Sequence, residues 1–292
     1  MTDKVPQPDL VDLHTHSSAS DGVYPPREVV KRADAVGLKA VALTDHDTTA
    51  GVAEAMAAGE TLAIEVIPAL EISAECEGGA CHILGYFLDP DEAGLARLLE
   101  TAREGRARRN AAILKRLNDL GFPLTMDDVT RRQTTSTLTR AHFAAAMLEK
   151  GYVRGWDEAF AKYLGRGKSA YVPRKRADPA DAVAAIRGAG GLAALAHPRQ
   201  LNRSLAETED WLRHLAGLGI EAVEVWTPDH SATFARHYGE MARRLGLLAV
   251  GGTDWHGRPD SDIRLGVGRG GLAVHYAVVE RMKDRLAERG KA

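Results

Sequence analysis

Apolar, strand-like runs alternate with helical segments along this chain, and that alternation constrains the fold more than any other feature. The runs are LVDLHTH (10–16), AVALTDH (40–46), AIEVIPALEIS (63–73, interrupted by Pro68), LAALAHP (192–198), AVEVWT (222–227) and LLAVGGTDWH (247–256). A further run, CHILGYFL (81–88), follows a Gly78-Gly79 turn and reads as a hairpin partner of the third. Helical segments fill the gaps. One opens at Pro25-Pro26 and closes at Gly37, the next takes Thr48 or Thr49 as its cap, and another opens at Asp178-Pro179. Later ones contain Trp211 and Leu215, reach Leu245, and span 275–289. Such alternation implies parallel strands in βαβ units, which a doubly wound sheet or a barrel would satisfy.

The pattern breaks between residues 91 and 170, where every signal is helical: an Arg-rich stretch (91–120), then pieces near 125–132, 139–150 and 156–164. The same region is basic. Residues 95–187 hold 19 Lys+Arg against 10 Asp+Glu, and the rest of the chain holds 19 against 30. These features predict a helical domain (95–175) inserted between two barrel segments (1–94 and 176–292). Its aromatics Phe122, Phe143, Tyr152, Trp156, Phe160, Tyr163 and Tyr171 fall mostly at helix-core positions. Arg103, Arg106, Arg108 and Arg109 read as a solvated helix face. A basic surface of this kind suits an anionic substrate.

The 292 residues suit an α/β barrel, which often runs to about 250. No apolar run approaches the roughly 20 residues of a membrane span, and MTDKVPQPD carries no signal-peptide core. A short disordered tail on a cytoplasmic protein is expected, with no membrane association and no obligate protein partner. Cys76 and Cys81 are expected to be thiols in a reducing compartment.

Histidines and carboxylates gather where the strand runs end. His14 and His16 end the first, Asp45 and His46 the second, His197 the strand after the insertion, and Asp254 and His256 the last. Glu71 sits late in the third run, and His82 opens its hairpin partner. Strand C-termini around a barrel form one rim, whereas a doubly wound sheet gathers ligands at a single crevice, so this distribution favours the barrel. Residues two apart on a strand share a face, which pairs His14 with His16 and Asp254 with His256. Imidazole and carboxylate together suit Zn, Mn or Fe, and so many donors imply more than one ion. His214, His230, His237 and His275 fall on helices or loops and carry no such implication.

Together, HTHSSASDG, LTDHD, ALEIS, HILGYF, AHP and GGTDWHG resemble the motifs of the PHP (polymerase and histidinol phosphatase) family of metal-dependent phosphoesterases. The match is closest to the branch of 3′,5′-nucleotide bisphosphate phosphatases and 5′→3′ exoribonucleases, which also carries a helical domain over the active site. The resemblance implies a distorted (β/α)7 barrel holding two or three divalent ions, Mn, Fe or Zn. It assigns His14, His16, Glu71 and Asp254 to a first metal. Glu71 would bridge to a second, shared with His82 and His197, and Asp21, His46 and His256 would hold a third. Asp21 stands where histidinol-phosphatase-like members carry histidine. That departure points away from histidinol phosphate and, by adding oxygen, towards Mn.

The resemblance further implies in-line attack on phosphorus by a hydroxide bridging the metals, with His197, Asp254 and His256 in the catalytic group and Asp45 orienting a ligand from behind. The expected reaction removes the 3′-phosphate of a nucleoside 3′,5′-bisphosphate such as pAp. Short 5′-phosphorylated RNA is the alternative substrate, and a non-catalytic interaction module or an amide hydrolase are alternatives of other classes. Arg140 and His142 at an insertion helix start, Arg199 two residues after His197, and Lys168 are the candidates for binding a second phosphate.

Overall fold

The computed structural model describes residues 9–76, 79–131 and 137–291. The expected N-terminal tail, except Asp9, and Gly78 of the expected turn lie outside these residues. Strand β1 (Leu10–Thr15), helix α1 (Pro26–Ala35), β2 (Ala40–Leu43), α2 (Val52–Leu62), β3 (Glu65–Cys76) and β4 (Gly79–Tyr86) form the first half. The helical stretch contains α3 (Ala93–Asp119), α4 (Met126–Thr130), α5 (Arg140–Glu149) and α6 (Trp156–Ala159), which widens into a π-turn over Phe160–Leu164. Then come α7 (Pro179–Gly188), β5 (Leu192–Leu195), α8 (Leu205–Leu218), β6 (Ala222–Trp226), α9 (Ala232–Leu245), β7 (Leu248–Gly251), β8 (Val274–His275) and α10 (Ala277–Arg289).

The strands form one sheet in the order β7-β6-β5-β4-β3-β2-β1-β8. It curls until its ends nearly meet. The start of β1 pairs with the two-residue β8, while Thr15 bridges to Trp255, beyond β7. The strands are not all parallel: β4 runs antiparallel to both β3 and β5. This reversal places the early residues of β4, His82 among them, on the same rim as the C-terminal ends of the parallel strands. Pro68 does not interrupt β3. Parallel pairing with β2 ends at Pro68 and antiparallel pairing with β4 begins at Ala69, so the missing N–H falls where the strand changes partner.

Local chemistry explains most boundaries. Pro25-Pro26 opens α1, and Gly37 follows it in the left-handed region, φ 82°. Asp178 caps α7 by accepting from Ala180 N–H. Helix α2 departs from expectation, because its cap is Gly51 rather than Thr48 or Thr49. A side chain at Gly51 would press within 3.0 Å of Leu43 and Pro26, so close packing of the helix start selects glycine there.

Helix α3 ties the two halves together. Its buried stripe runs Leu95, Leu99, Ala102, Arg106, Arg109, Asn110, Ile113, Leu117, at the spacing of one helix face. Leu95 and Leu99 join the barrel core, and Ile113 and Leu117 join a separate core with Leu124, Phe143, Met147 and Leu164. Between them the stripe turns polar. Arg106 and Arg109 are therefore buried, 4% and 7% exposed, and not part of a solvated face. Among the described residues no helix is long and apolar enough to cross a membrane.

Candidate metal centre

The rim brings together all nine residues that the sequence singles out as ligands. His14 Nε2, His16 Nε2, Glu71 Oε2 and Asp254 Oδ1 converge, with His–carboxylate distances of 3.1–3.5 Å. Glu71 divides its oxygens. Oε1 lies 2.8 Å from His82 Nδ1 and 3.1 Å from His197 Nε2, while Oε2 lies 2.8 Å from His46 Nδ1. Asp21 Oδ1 lies 3.3 Å from His256 Nε2, and Asp21 Oδ2 lies 3.9 Å from His46 Nε2. His16 faces two groups at once, since its Nδ1 is 3.9 Å from Asp21.

These donors fit metal ions. Donors sharing an ion at about 2.1 Å stand roughly 3.0–3.4 Å apart, the spacing of the first group. Among the described residues, His14 Nε2, both nitrogens of His16, His46 Nδ1, His82 Nδ1 and Glu71 Oε2 are buried without a hydrogen-bond partner. Buried polar atoms rarely stay unpaired, and these face one another.

Electrostatics point the same way. Burial opposes charge on His14, but Glu224, Asp254 and Glu71 outweigh it and raise its pKa well above the ordinary value. Burial likewise opposes charge on His46, and Glu71 and Asp21 outweigh it, raising the pKa to about 9. His16 is driven down to about 3, by burial first and then by His256. The carboxylates of this cluster attract positive charge, and a metal would supply it.

Backbone and small residues set these positions. Gly252 passes so close to β1 that a Cβ there would sit 2.3 Å from His14 N, and a Cβ on Gly22 would sit 2.3 Å from His16 O. Asp47, His197 and Asp254 all carry positive φ (51°, 24° and 53°) without being glycine. Such strain persists where surrounding contacts hold it. Asp254 and His256 consequently do not share a strand face as expected: β7 ends at Gly251, and the kink at Asp254 brings both inward.

Several supporting residues escaped the sequence reading. Glu224, fully buried on β6, lies 3.0 Å from His14 Nδ1 and accepts the His197 backbone N–H at 2.7 Å. Asp12 accepts from Thr253 N–H, Thr253 hydroxyl and Gly266 N–H, tying β1 to the segment beyond β7. A lone acid inside an apolar strand run was the available signal for Glu224. Asp45 does support the site, but through serines. It accepts from Ser17 N–H, Ser17 hydroxyl and Ser20 hydroxyl, and so shapes the loop between His16 and Asp21. Burial raises its carboxyl to about 6 against those hydrogen bonds.

A cavity of about 280 Å³ opens beside the cluster. One wall is arginine: Arg106, Arg109, Arg140, Arg174, Arg176 and Arg258. Asp47 accepts from Arg106 at 2.8 Å and from Arg174 at 2.8 Å. Burial and its cationic neighbours lower Arg109 to about 8, and the same causes bring Arg174 to about 10. Arg174 keeps one terminal nitrogen buried with no partner among the described residues. The periodicity of α3 could have flagged Arg106 and Arg109; nothing local marks Arg174, Arg176 or Arg258.

Of the four expected phosphate binders, only Arg140 lines this cavity, donating to Leu164 O at 3.0 Å. His142 closes the capping box of α5, accepting from Thr139 N–H. Thr139 in turn donates its hydroxyl to Asp21 Oδ2 at 3.2 Å. Lys168 is exposed and outside the cavity lining. Arg199 does not overhang the cluster. A short helical turn starting at Pro198 carries it outward, where its guanidinium stacks 4.2 Å from the Phe234 ring centroid.

A family model described as PHP domain matches residues 12–185. The chain belongs to the PHP family. It is 37% identical over 253 residues to a 5′-3′ exoribonuclease of Haemophilus influenzae, covering 84% of this chain and 89% of that one. It is 36% identical over 247 residues to a 3′,5′-nucleoside bisphosphate phosphatase of Chromobacterium violaceum, covering 84% and 87%. A solved structure of an amidohydrolase from the same organism, with bound sulfate and no metal, superimposes with a TM-score of 0.86 at 33% identity, covering 94% of this chain and 96% of that one. The PHP barrel expected from the sequence is thus the fold observed.

Proposed function

We propose that this PHP protein is a metal-dependent phosphoesterase that removes the 3′-phosphate of nucleoside 3′,5′-bisphosphates, converting pAp to AMP. The observation that carries the reading is one small cavity with metal-ligand chemistry on one side and an arginine wall on the other. Arg109, Arg140 and Arg174 are lowered by burial first and then by neighbouring guanidiniums, Arg106 and Arg176 among them, and Asp47 and Glu75 balance only part of the wall's charge. A second anion on the substrate would complete the balance. At about 280 Å³ the cavity lies just below the usual span of ligand pockets, roughly 300–1,000 Å³. A mononucleotide suits it.

In this reading His14, His16, Glu71 and Asp254 hold one ion; Glu71, His82 and His197 a second; and Asp21, His46 and His256 a third. The oxygen of Asp21 favours Mn over Fe or Zn. Bound divalent ions would supply Lewis-acid charge neutralisation and a water acidified towards neutral pH. The chain does the rest. Glu224 orients His14, Asp45 holds the Ser17–Ser20 loop, and the arginines fix the phosphate that stays. The helical segment 95–175 acts as a domain closing the site. Cys76 and Cys81 as free thiols accord with a cytoplasmic setting.

The test compares phosphate release from pAp and from adenosine 3′-phosphate by the metal-reconstituted enzyme. The reading expects kcat/KM for pAp to exceed that for the monophosphate by at least about tenfold, the worth of one charged hydrogen-bonded contact. Equal rates would remove the second-phosphate site. A second reading, 5′→3′ cleavage of short RNA, is supported by the likeness to relatives named 5′-3′ exoribonuclease.

A further inference from the structure

We propose that Thr139, which caps α5 of the helical segment, is a positioning residue for the third metal, so that the helical segment completes that metal's site. This rests on the assignment of a third ion to Asp21, His46 and His256. It does not depend on which phosphoester is the substrate.

The donor atoms of His16, Asp21, His46 and His256 gather at one point of the rim, and Asp21 is the one carboxylate among them. It stands on the loop after β1, not on a strand. Its two oxygens are held from different sides. Oδ1 lies 3.3 Å from His256 Nε2 and accepts the Ser20 hydroxyl at 3.4 Å. Oδ2 lies 3.9 Å from His46 Nε2 and accepts the Thr139 hydroxyl at 3.2 Å, from 118 positions along the chain. A loop-borne ligand is thus steadied by the barrel on one side and by α5 on the other.

The capping box leaves the Thr139 proton for this contact. Its hydroxyl oxygen accepts Ala141 N–H at 3.1 Å, and Thr139 N–H donates to His142 Nδ1 at 3.0 Å. His142 Nδ1 also lies 3.3 Å from the hydroxyl, but a ring nitrogen has one lone pair and the N–H already takes it. His142 therefore acts on the metal site through Thr139. The residues on either side are tied down as well. Leu138 O accepts from Arg109 and Asn110 of α3, each at 3.2 Å, and Arg140 donates to Leu164 O at 3.0 Å. Three consecutive residues thus join α3, the metal rim and the π-turn. Thr139 is only 6% exposed, which leaves water little access to the contact. Arg109 and Arg140 also line the cavity, so the joint sits where the substrate anion would bind.

The test counts ions. Wild type, Thr139→Gly, Thr139→Ser, Asp21→Ala and the Asp21→Ala/Thr139→Gly double variant are dialysed against graded free Mn, and bound metal is measured. Glycine caps a helix almost as well as threonine, so Thr139→Gly removes the hydroxyl and spares the helix. It is expected to weaken one ion by about 10–100-fold, the usual effect of losing a ligand's partner, while the others stay within about twofold. Thr139→Ser should restore wild-type binding. The double variant should bind no more weakly than Asp21→Ala, because the two residues act through one contact. Unchanged binding in Thr139→Gly, equal weakening of every ion, a double variant weaker than Asp21→Ala, or a wild type that holds fewer than three ions would overturn the proposal. Selective loss of one ion in Thr139→Gly, in a protein whose wild type releases no phosphate from pAp, would sink the bisphosphate reading and support the role of Thr139.

Discussion

The Glu224 carboxylate lies 3.0 Å from His14 Nδ1, with both side chains fully buried. Its other oxygen accepts the backbone N–H of His197. One acid on β6 therefore fixes ligand residues on β1 and after β5, and leaves His14 Nε2 free for the centre. Partners of metal-ligating histidines typically contribute about 10–100-fold in metal affinity. Glu224→Gln should weaken metal binding by about that factor, as read by competition with a chelating indicator, while circular dichroism stays unchanged. Unaltered metal affinity would mean that His14 needs no such support.

Arg174 tests the arginine wall. It lines the cavity, donates to Asp47 and holds another buried nitrogen with no partner among the described residues. Arg174→Ala is expected to raise KM for pAp by about 10–100-fold, the worth of a charge-assisted hydrogen bond of roughly 1.5–3 kcal/mol. Hydrolysis of p-nitrophenyl phosphate, which has no second phosphate, should change little. Parallel losses on both substrates would place Arg174 with the chemistry rather than with recognition.

Asp47 holds the wall together from beneath. Burial alone would raise its pKa, but Arg106 and Arg174 override this and hold it well below the ordinary carboxylate value. Replacing it with Asn strands two buried guanidiniums, a change that costs about 3–5 kcal/mol in comparable pairs. Asp47→Asn should melt earlier than wild type, and added inorganic phosphate should recover part of the loss. Because the folded carboxyl titrates below the unfolded one, its stabilisation is complete above about pH 4 and fades as pH falls through the folded value. The gap between the two proteins should narrow only in that acidic range. A gap that narrows between neutral pH and about pH 5 would contradict this origin.

What was legible in the chain was its chemistry at strand ends. His14, His16, Asp21, His46, Glu71, His82, His197, Asp254 and His256 are polar groups at the ends of apolar runs, which a sequence displays directly, and they do converge. The antiparallel β4 was legible as a hairpin. Less visible were groups whose role depends on packing. Arg106 and Arg109 look like surface charge until the α3 stripe is counted, and Arg174 lies on a segment with no periodicity at all. Arg199 does not follow the strand line two residues past His197, because a short helical turn begins at Pro198 and its guanidinium lies over Phe234 instead. Glu224 showed only as a lone acid inside an apolar run, with no sequence neighbour in the cluster; its partner His14 is 210 residues away.

The most direct measurement is product analysis of pAp treated with metal-reconstituted protein, with His14→Asn as the blank. The account predicts AMP and inorganic phosphate in equal amounts, formed only with divalent metal and absent from the blank. Adenosine 3′-phosphate as product, or no phosphate from fully metal-loaded protein, would contradict it.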